Sequence, residues 1–303
     1  MVDFFSQICG EFPAWDVPFL PAEPERAPGA PRRLALVTAY RGDGFAGWQL
    51  QARGLTVQGA LEKVLSKVLN QPIRVFAAGR TDAGVHALGQ VAAFSTTSNL
   101  SLARLDLALR KMLPDGVLPR RLGPVAPDFH PQYDARGKTY HYYLLPETRA
   151  GLFAAGLMWP LPGRLDLAAM AKALELVTGL VDLGAFANNS TEVKGSTQRL
   201  ITRAELRRED SGVVRLSLTG NGFLRHAVRN LVGSLVQVGG GRLAPEAVGE
   251  MLAAGQRLYS GPKAPPGGLY LARIYYVSPL PGADGAAGAA TFPGTGSGGP
   301  AVG

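Results

Sequence analysis

The sequence predicts an α+β fold: two ferredoxin-like (RRM-like) β-α-β-β-α-β units joined edge to edge into one extended sheet, with helices on one face. Three observations predict it. Segments with apolar residues at helical spacing alternate with short apolar runs of strand length. The order strand, helix, strand, strand, helix, strand occurs twice along the chain. A hydrophobic content of 46% over 303 residues supports a core large enough for one large or two modest domains.

In the first copy, residues 34–40 read as a strand, being almost wholly apolar. Val57, Leu61, Val64, Leu65 and Val68 follow helical spacing. Residues 73–78 and 91–95 read as strands, 102–112 as a helix and 117–125 as the closing strand. The second copy places a strand at 139–145, a helix at 165–178 and strands at 200–208 and 213–219. A helix at 223–238, an extra helix at 245–253 and a strand at 269–277 complete it. The expected organisation is an irregular N-terminal extension (1–31), a first unit (32–128), a second unit (129–280) and a Gly-, Ala- and Pro-rich tail (281–303) expected to be disordered. The extension carries Phe4, Phe5, Phe12, Trp15 and Phe19. These are unusual for an unstructured tail and leave docking open. The open sheet face and the cleft between the units are then free for a substrate.

The most informative stretch is Gly79-Arg80-Thr81-Asp82-Ala83-Gly84-Val85-His86-Ala87. It sets Asp82 two positions after Arg80, in a loop bounded by Gly79 and Gly84 and flanked by apolar strands. The glycines allow a tight turn, and Thr81 and Asp82 are suited to bonding nearby backbone N–H groups. A guanidinium close to a carboxylate favours its charged, nucleophilic form. On spacing alone, the bland reading is a turn that only connects two strands.

That stretch resembles the signature loop of the TruA family of tRNA pseudouridine synthases, in which it carries the catalytic aspartate. Other segments similar to the family follow in order, among them Gly44-Phe45-Ala46-Gly47-Trp48-Gln49, Phe129-His130, Lys138-Thr139-Tyr140-His141-Tyr142 and the run from Gly222 to Asn230. Ala264-Pro265-Pro266-Gly267-Gly268 closes the set. The resemblance spans positions 33–278. It implies conversion of uridine to pseudouridine in the anticodon stem-loop of tRNA, with Asp82 as nucleophile and Arg229 holding it from the other unit by a salt bridge. It implies Tyr140 in the active site, as a stacking ring or a proton-transfer group, and Arg80 against phosphate or beside the flipped nucleotide. Solvated-loop and core readings remain open for Arg80 and Tyr142, and Arg225 is expected to snorkel to solvent. It also implies a homodimer and a reaction with no cofactor and no metal. The chain departs from the family at Pro131-Gln132-Tyr133, where Ala-Arg-Phe is frequent, and at Val181 and Leu183.

Composition agrees with a polyanionic partner, since the net charge is +8. A single cysteine, Cys9, excludes an internal disulfide, and the four histidines lack metal-ligand spacing. Asp3 and three early prolines argue against a signal peptide, and no apolar run of about 18 residues is present. The expectation is a cytoplasmic protein with no membrane contact. Two readings compete: a tandem RRM-like RNA-binding protein without catalysis, disfavoured because neither half carries an RNP1-like run, and a synthase of the same family acting on another RNA.

Overall fold

The structure is a computed structural model that describes residues 16–146, 156–187, 195–277 and 280. The first half contains β1 (Arg32–Tyr40), α1 (Val57–Leu69), β2 (Phe76–Ala77), β3 (His86–Thr96), α2 (Leu102–Met112) and β4 (Val117–Pro124). The second contains β5 (Gly137–Pro146), β6 (Trp159–Leu161), α3 (Leu167–Glu175), β7 (Gly179–Asp182), β8 (Gln198–Arg208), β9 (Val214–Gly220), α4 (Ala227–Gly239), α5 (Glu246–Ala254) and β10 (Leu269–Tyr275). Helix starts follow side-chain capping. Thr56 accepts from the Gly59 N–H at α1, Ser101 from Arg104 at α2, and Asp166 from Ala169 at α3. Asn70, at φ 51°, ends α1 in the left-handed conformation that asparagine tolerates.

All strands belong to one ten-stranded sheet in the order β4-β1-β3-β10-β5-β9-β8-β7, with β2 on β3 and β6 on β5. The sheet is mixed. Within each half the pattern is the same, β4-β1-β3-β2 and β10-β5-β9-β8, which is the ferredoxin-like order. The halves meet where β10 runs parallel to β3, pairing Tyr270 with His86 and Leu271 with Ala87. Further along β3, Ala92 and Ala93 pair with β2. One edge of β3 thus passes from its own unit to the other, and the 78–85 loop leaves the sheet at that change of partner.

Alternation along β10 shows where the helices lie. Leu269 joins the core beneath α3, α4 and α5, and Leu271 joins the core beneath α1 and α2. Tyr270, between them, joins Tyr143, Met158 and Val213 on the opposite face. Both helix layers therefore cover the same face, and a cleft opens between them over the central strands.

Most predicted elements are found within a few residues, with four differences. The 73–78 run forms only the two-residue β2, because Ile73 and Val75 turn into the α1 core instead of pairing. Strand β3 starts earlier than predicted, so His86 and Ala87 of the motif already belong to the sheet. Helix α4 starts at Ala227 rather than 223, because His226 adopts φ 65°. Strands β6 and β7 were not foreseen; each is short and takes its place from pairing alone. From residue 16 the N-terminal extension docks. Val17 is buried, the Leu20 N–H donates to the Pro124 carbonyl at 2.9 Å, and Arg121 lies 4.4 Å from the Phe19 ring centroid. Phe4, Phe5, Phe12, Trp15 and the 281–303 tail lie outside the described residues.

Candidate active site

The loop that presents Asp82 is fixed from behind by the 42–48 segment. The Trp48 N–H donates to the Thr81 carbonyl at 3.0 Å, and the Tyr40 hydroxyl pairs with Thr81 Oγ1 at 2.8 Å. Gly47, at φ 102°, lets this segment approach; a Cβ there would lie 2.8 Å from the Thr81 carbonyl oxygen. Gln90 Nε2 donates to the Gly79 carbonyl at 2.6 Å, and the Val85 N–H closes the turn on the Asp82 carbonyl at 3.1 Å. Burial pushes the Tyr40 phenol up to about 12, so it stays protonated and serves as a fixed hydrogen-bonding group.

His86 anchors the other end of the motif on the far face of the sheet. Its Nδ1 accepts from the Gly42 N–H at 3.0 Å, its Nε2 donates to the Gly156 carbonyl at 2.7 Å, and its ring stacks on Tyr270 at 4.5 Å. One acceptor and one donor require the neutral ring, and burial lowers its pKa accordingly. His86 is a structural member of the motif.

The second half supplies the groups around the carboxylate. His226 Nε2 lies 3.1 Å and Arg229 Nη1 3.6 Å from Asp82 Oδ2, and Arg225 Nε lies 4.0 Å from Oδ1. Arg229 is buried in the first turn of α4, where its Nε donates to the Ala264 carbonyl at 2.8 Å. The Ala264 N–H in turn donates to the Arg229 carbonyl at 3.1 Å. Gly233 lets that strap lie flat on the helix, since a Cβ there would be 1.8 Å from the Pro262 carbonyl oxygen. At 3.6 Å and an effective dielectric of about 20, the Arg229–Asp82 attraction is about 5 kcal/mol before the desolvation that offsets much of it. His226 carries the left-handed backbone that starts the helix late, and burial lowers its pKa against the pull of Asp82. Its Nε2 faces the carboxylate at 3.1 Å, and its Nδ1 is buried without a hydrogen-bond partner among the described residues.

Tyr140 stands on β5 above the join between the two cores and packs against both. Phe223 meets its ring edge-on at 5.1 Å. Burial, reinforced by Tyr40 and Asp82, raises the Tyr140 pKa far above that of an ordinary phenol. Tyr142, on the same face, is fully buried and donates to the Pro265 carbonyl at 2.8 Å, as its core reading expects.

Asp82, Arg80, Tyr140 and Arg229 all line one cleft of about 1140 Å³. Five basic side chains line it (Arg74, Arg80, Lys138, Arg225, Arg229), and Asp82 is its one acidic group. One expectation is corrected. Sequence adjacency suggested Arg80 as the guanidinium beside Asp82, but Arg80 is exposed and makes no ion pair among the described residues. The cations at the carboxylate come from the α4 entry, because the loop turns Arg80 outward. Arg225 is 76% exposed, as expected for a snorkelling side chain, yet its guanidinium still reaches the carboxylate. His226 was missed as a site residue; its sole signal was its place three residues before Arg229. No cluster of His, Cys, Asp and Glu able to hold a metal occurs among the described residues.

The two-unit sheet agrees with the fold of a pseudouridine synthase. Comparison with known proteins agrees. A sequence model of the family described as tRNA pseudouridine synthase matches residues 36–134 and 173–277. A tRNA pseudouridine synthase A of Thermodesulfovibrio yellowstonii is 36% identical over 252 residues, covering 80% of this chain and 99% of its own. The proteins of the same name from Moorella thermoacetica and Solidesulfovibrio magneticus are 39% and 41% identical, covering 80% and 82% of this chain and 99% and 94% of their own. The chain belongs to the tRNA pseudouridine synthase family.

Proposed function

We propose that this protein isomerises uridine to pseudouridine in the anticodon stem-loop of tRNA, without metal or cofactor. The reaction breaks the N1–C1′ glycosidic bond, rotates the base and joins C5 to C1′; the C5 proton leaves to a base and N1 takes up a proton, so atoms and charge balance. The observation that carries the reading is the Asp82 carboxylate, clamped by His226 and Arg229 and open to a basic cleft. A carboxylate in that setting is equipped to act as a nucleophile. Arg229 and His226 fix its direction and balance its charge. Tyr140, protonated and braced by Phe223, offers a face for the flipped uracil and a hydroxyl for ribose or for proton transfer. Arg80, at the exposed rim, takes a backbone phosphate. The names of the relatives support tRNA as the substrate. Action as a homodimer in the cytoplasm accompanies this reading; among the described residues no helix is long and apolar enough to cross a membrane.

The test is Asp82→Asn, nearly isosteric and uncharged. Mapping of pseudouridine in tRNA should show turnover abolished, with tRNA affinity held within roughly a few-fold because phosphate contacts persist. Substantial turnover by Asp82→Asn removes the nucleophile. Wild-type binding of tRNA with no isomerisation favours the non-catalytic RNA-binding class.

A further inference from the structure

Tyr133 is the most exposed large hydrophobic side chain among the described residues, at 77%. It nevertheless has a defined position at the mouth of the Asp82 cleft. Its ring stacks on His130 with centroids 4.1 Å apart and planes inclined by 24°. Beyond His130 lies Phe76, 42% exposed, at 5.7 Å, with the Arg33 guanidinium 5.6 Å from its centroid. Phe76, His130 and Tyr133 all line the cleft.

The turn that carries His130 and Tyr133 is tightly held. His130 Nδ1 accepts from the backbone N–H groups of Gln132 and Tyr133 at 3.2 and 3.3 Å. Asp134 Oδ2 accepts from the His130 N–H at 2.8 Å, and the Asp134 N–H donates to the His130 carbonyl at 3.1 Å. From the other side the Tyr276 hydroxyl donates to the Pro131 carbonyl at 2.8 Å. Accepting at Nδ1 requires a ring unprotonated there, and burial with the nearby Arg33 lowers the His130 pKa in that direction. An aromatic face fixed in this way and left bare is preorganised: a planar partner loses its own freedom on docking, but the protein loses little.

We propose that the bare face of Tyr133 is a stacking platform for a second unpaired base of the RNA substrate, apart from the base that enters the Asp82–Tyr140 site. This rests on the proposed function of that site. A base is favoured over a protein side chain because the platform opens into a cleft with five basic side chains and one acidic group, which suits a polyanion whose bases are splayed out.

The experiment measures the affinity of the full-length protein for an anticodon stem-loop RNA, and for a series in which each loop nucleotide in turn is abasic. Tyr133→Ala should weaken binding of the intact RNA by about 10-fold, within the range for one aromatic–base stack. Tyr133→Phe should restore it, and melting should be unchanged because the ring is exposed. On one abasic RNA of the series, the Tyr133→Ala penalty should vanish. Unchanged affinity of Tyr133→Ala for the intact RNA overturns the proposal. So does an equal penalty across the whole abasic series, which marks a role in the turn and not in stacking. Wild-type turnover is read in parallel: absence of pseudouridine overturns the reading of Asp82, whereas the affinities alone decide the platform.

Discussion

Replacing Gly47 by alanine perturbs Asp82 from behind without touching the cleft. Gly47 has φ 102°, and a Cβ there would meet Thr81 O at 2.8 Å, Ala83 N at 3.1 Å and the Asp82 carbonyl carbon at 3.2 Å. An ordinary contact begins near 3.4 Å, so the loop must retreat by about 0.6 Å. All three atoms are backbone, and no rotamer change relieves them. The Thr81 carbonyl is also the acceptor for the Trp48 N–H at 3.0 Å, so its retreat weakens the bond that positions the loop. A side chain forced into this conformation costs about 1–3 kcal/mol. A displacement of this order at the reacting carboxylate costs up to about 100-fold in rate, since misplacement by about 1 Å is enough for that loss. The assay is single-turnover pseudouridine formation at saturating tRNA, with a thermal melt alongside. Gly47→Ala should lose about 10- to 100-fold in rate and melt lower by about 2–4 °C for each kcal/mol lost. Gly44→Ala, a few residues away with open space at its Cβ and no positive φ, is the control and should change neither. Near-wild-type rate and melting in Gly47→Ala refute the claim that this close approach holds the Asp82 loop.

Arg229→Leu should cut turnover by about 100-fold or more and cost about 1–3 kcal/mol of stability, because it removes a cation 3.6 Å from Asp82 and leaves the Ala264 carbonyl without its side-chain donor. Arg225→Leu, at a 76% exposed side chain 4.0 Å from Asp82, should leave melting unchanged and turnover within a few-fold; kinetics and melts that reverse this ranking reassign the clamp to Arg225. His141, held to about 4 by burial and by Arg215, is neutral in the fold, whereas its unfolded value is near 6.5. The unfolded chain therefore binds a proton that the fold refuses, so this contribution is fully present above about pH 6.5 and is lost as pH falls toward 4. At about 1.4 kcal/mol per pH unit, the loss is about 3 kcal/mol at most. Urea unfolding across that range should decline less steeply in His141→Asn than in the parent, and an equal slope rejects the assignment.

How much of this was legible in sequence depended on the range of the forces involved. Helices α1 and α2 were readable because the signal for a helix lies within each segment, as in the helical spacing of Val57, Leu61, Val64, Leu65 and Val68. Strands β6 and β7 were not, because three- and four-residue strands carry almost no periodicity and exist through their neighbours on β5 and β8. Asp82, Tyr140 and Arg229 were named through resemblance, and the fold brings them to one cleft. The assignment of the nearby cation to Arg80 failed for a geometric reason. Adjacency in sequence puts two residues close along the chain, but the turn decides where each side chain points.

By itself, then, the sequence determined the repeated β-α-β-β-α-β order, the glycine-bounded loop that carries Asp82 and the basic balance. Each is a property of neighbouring residues or of composition. Only the tertiary structure decided that β10 takes over one edge of β3 at His86 and Ala87, which sets the Asp82 loop opposite the start of α4. Only it showed that His226 leaves the helix with a left-handed backbone to reach the carboxylate, and that Arg229 is aimed by the Ala264 carbonyl. Those facts depend on pairing and packing between segments from 35 to more than a hundred residues apart, and such contacts leave no periodic trace in either segment.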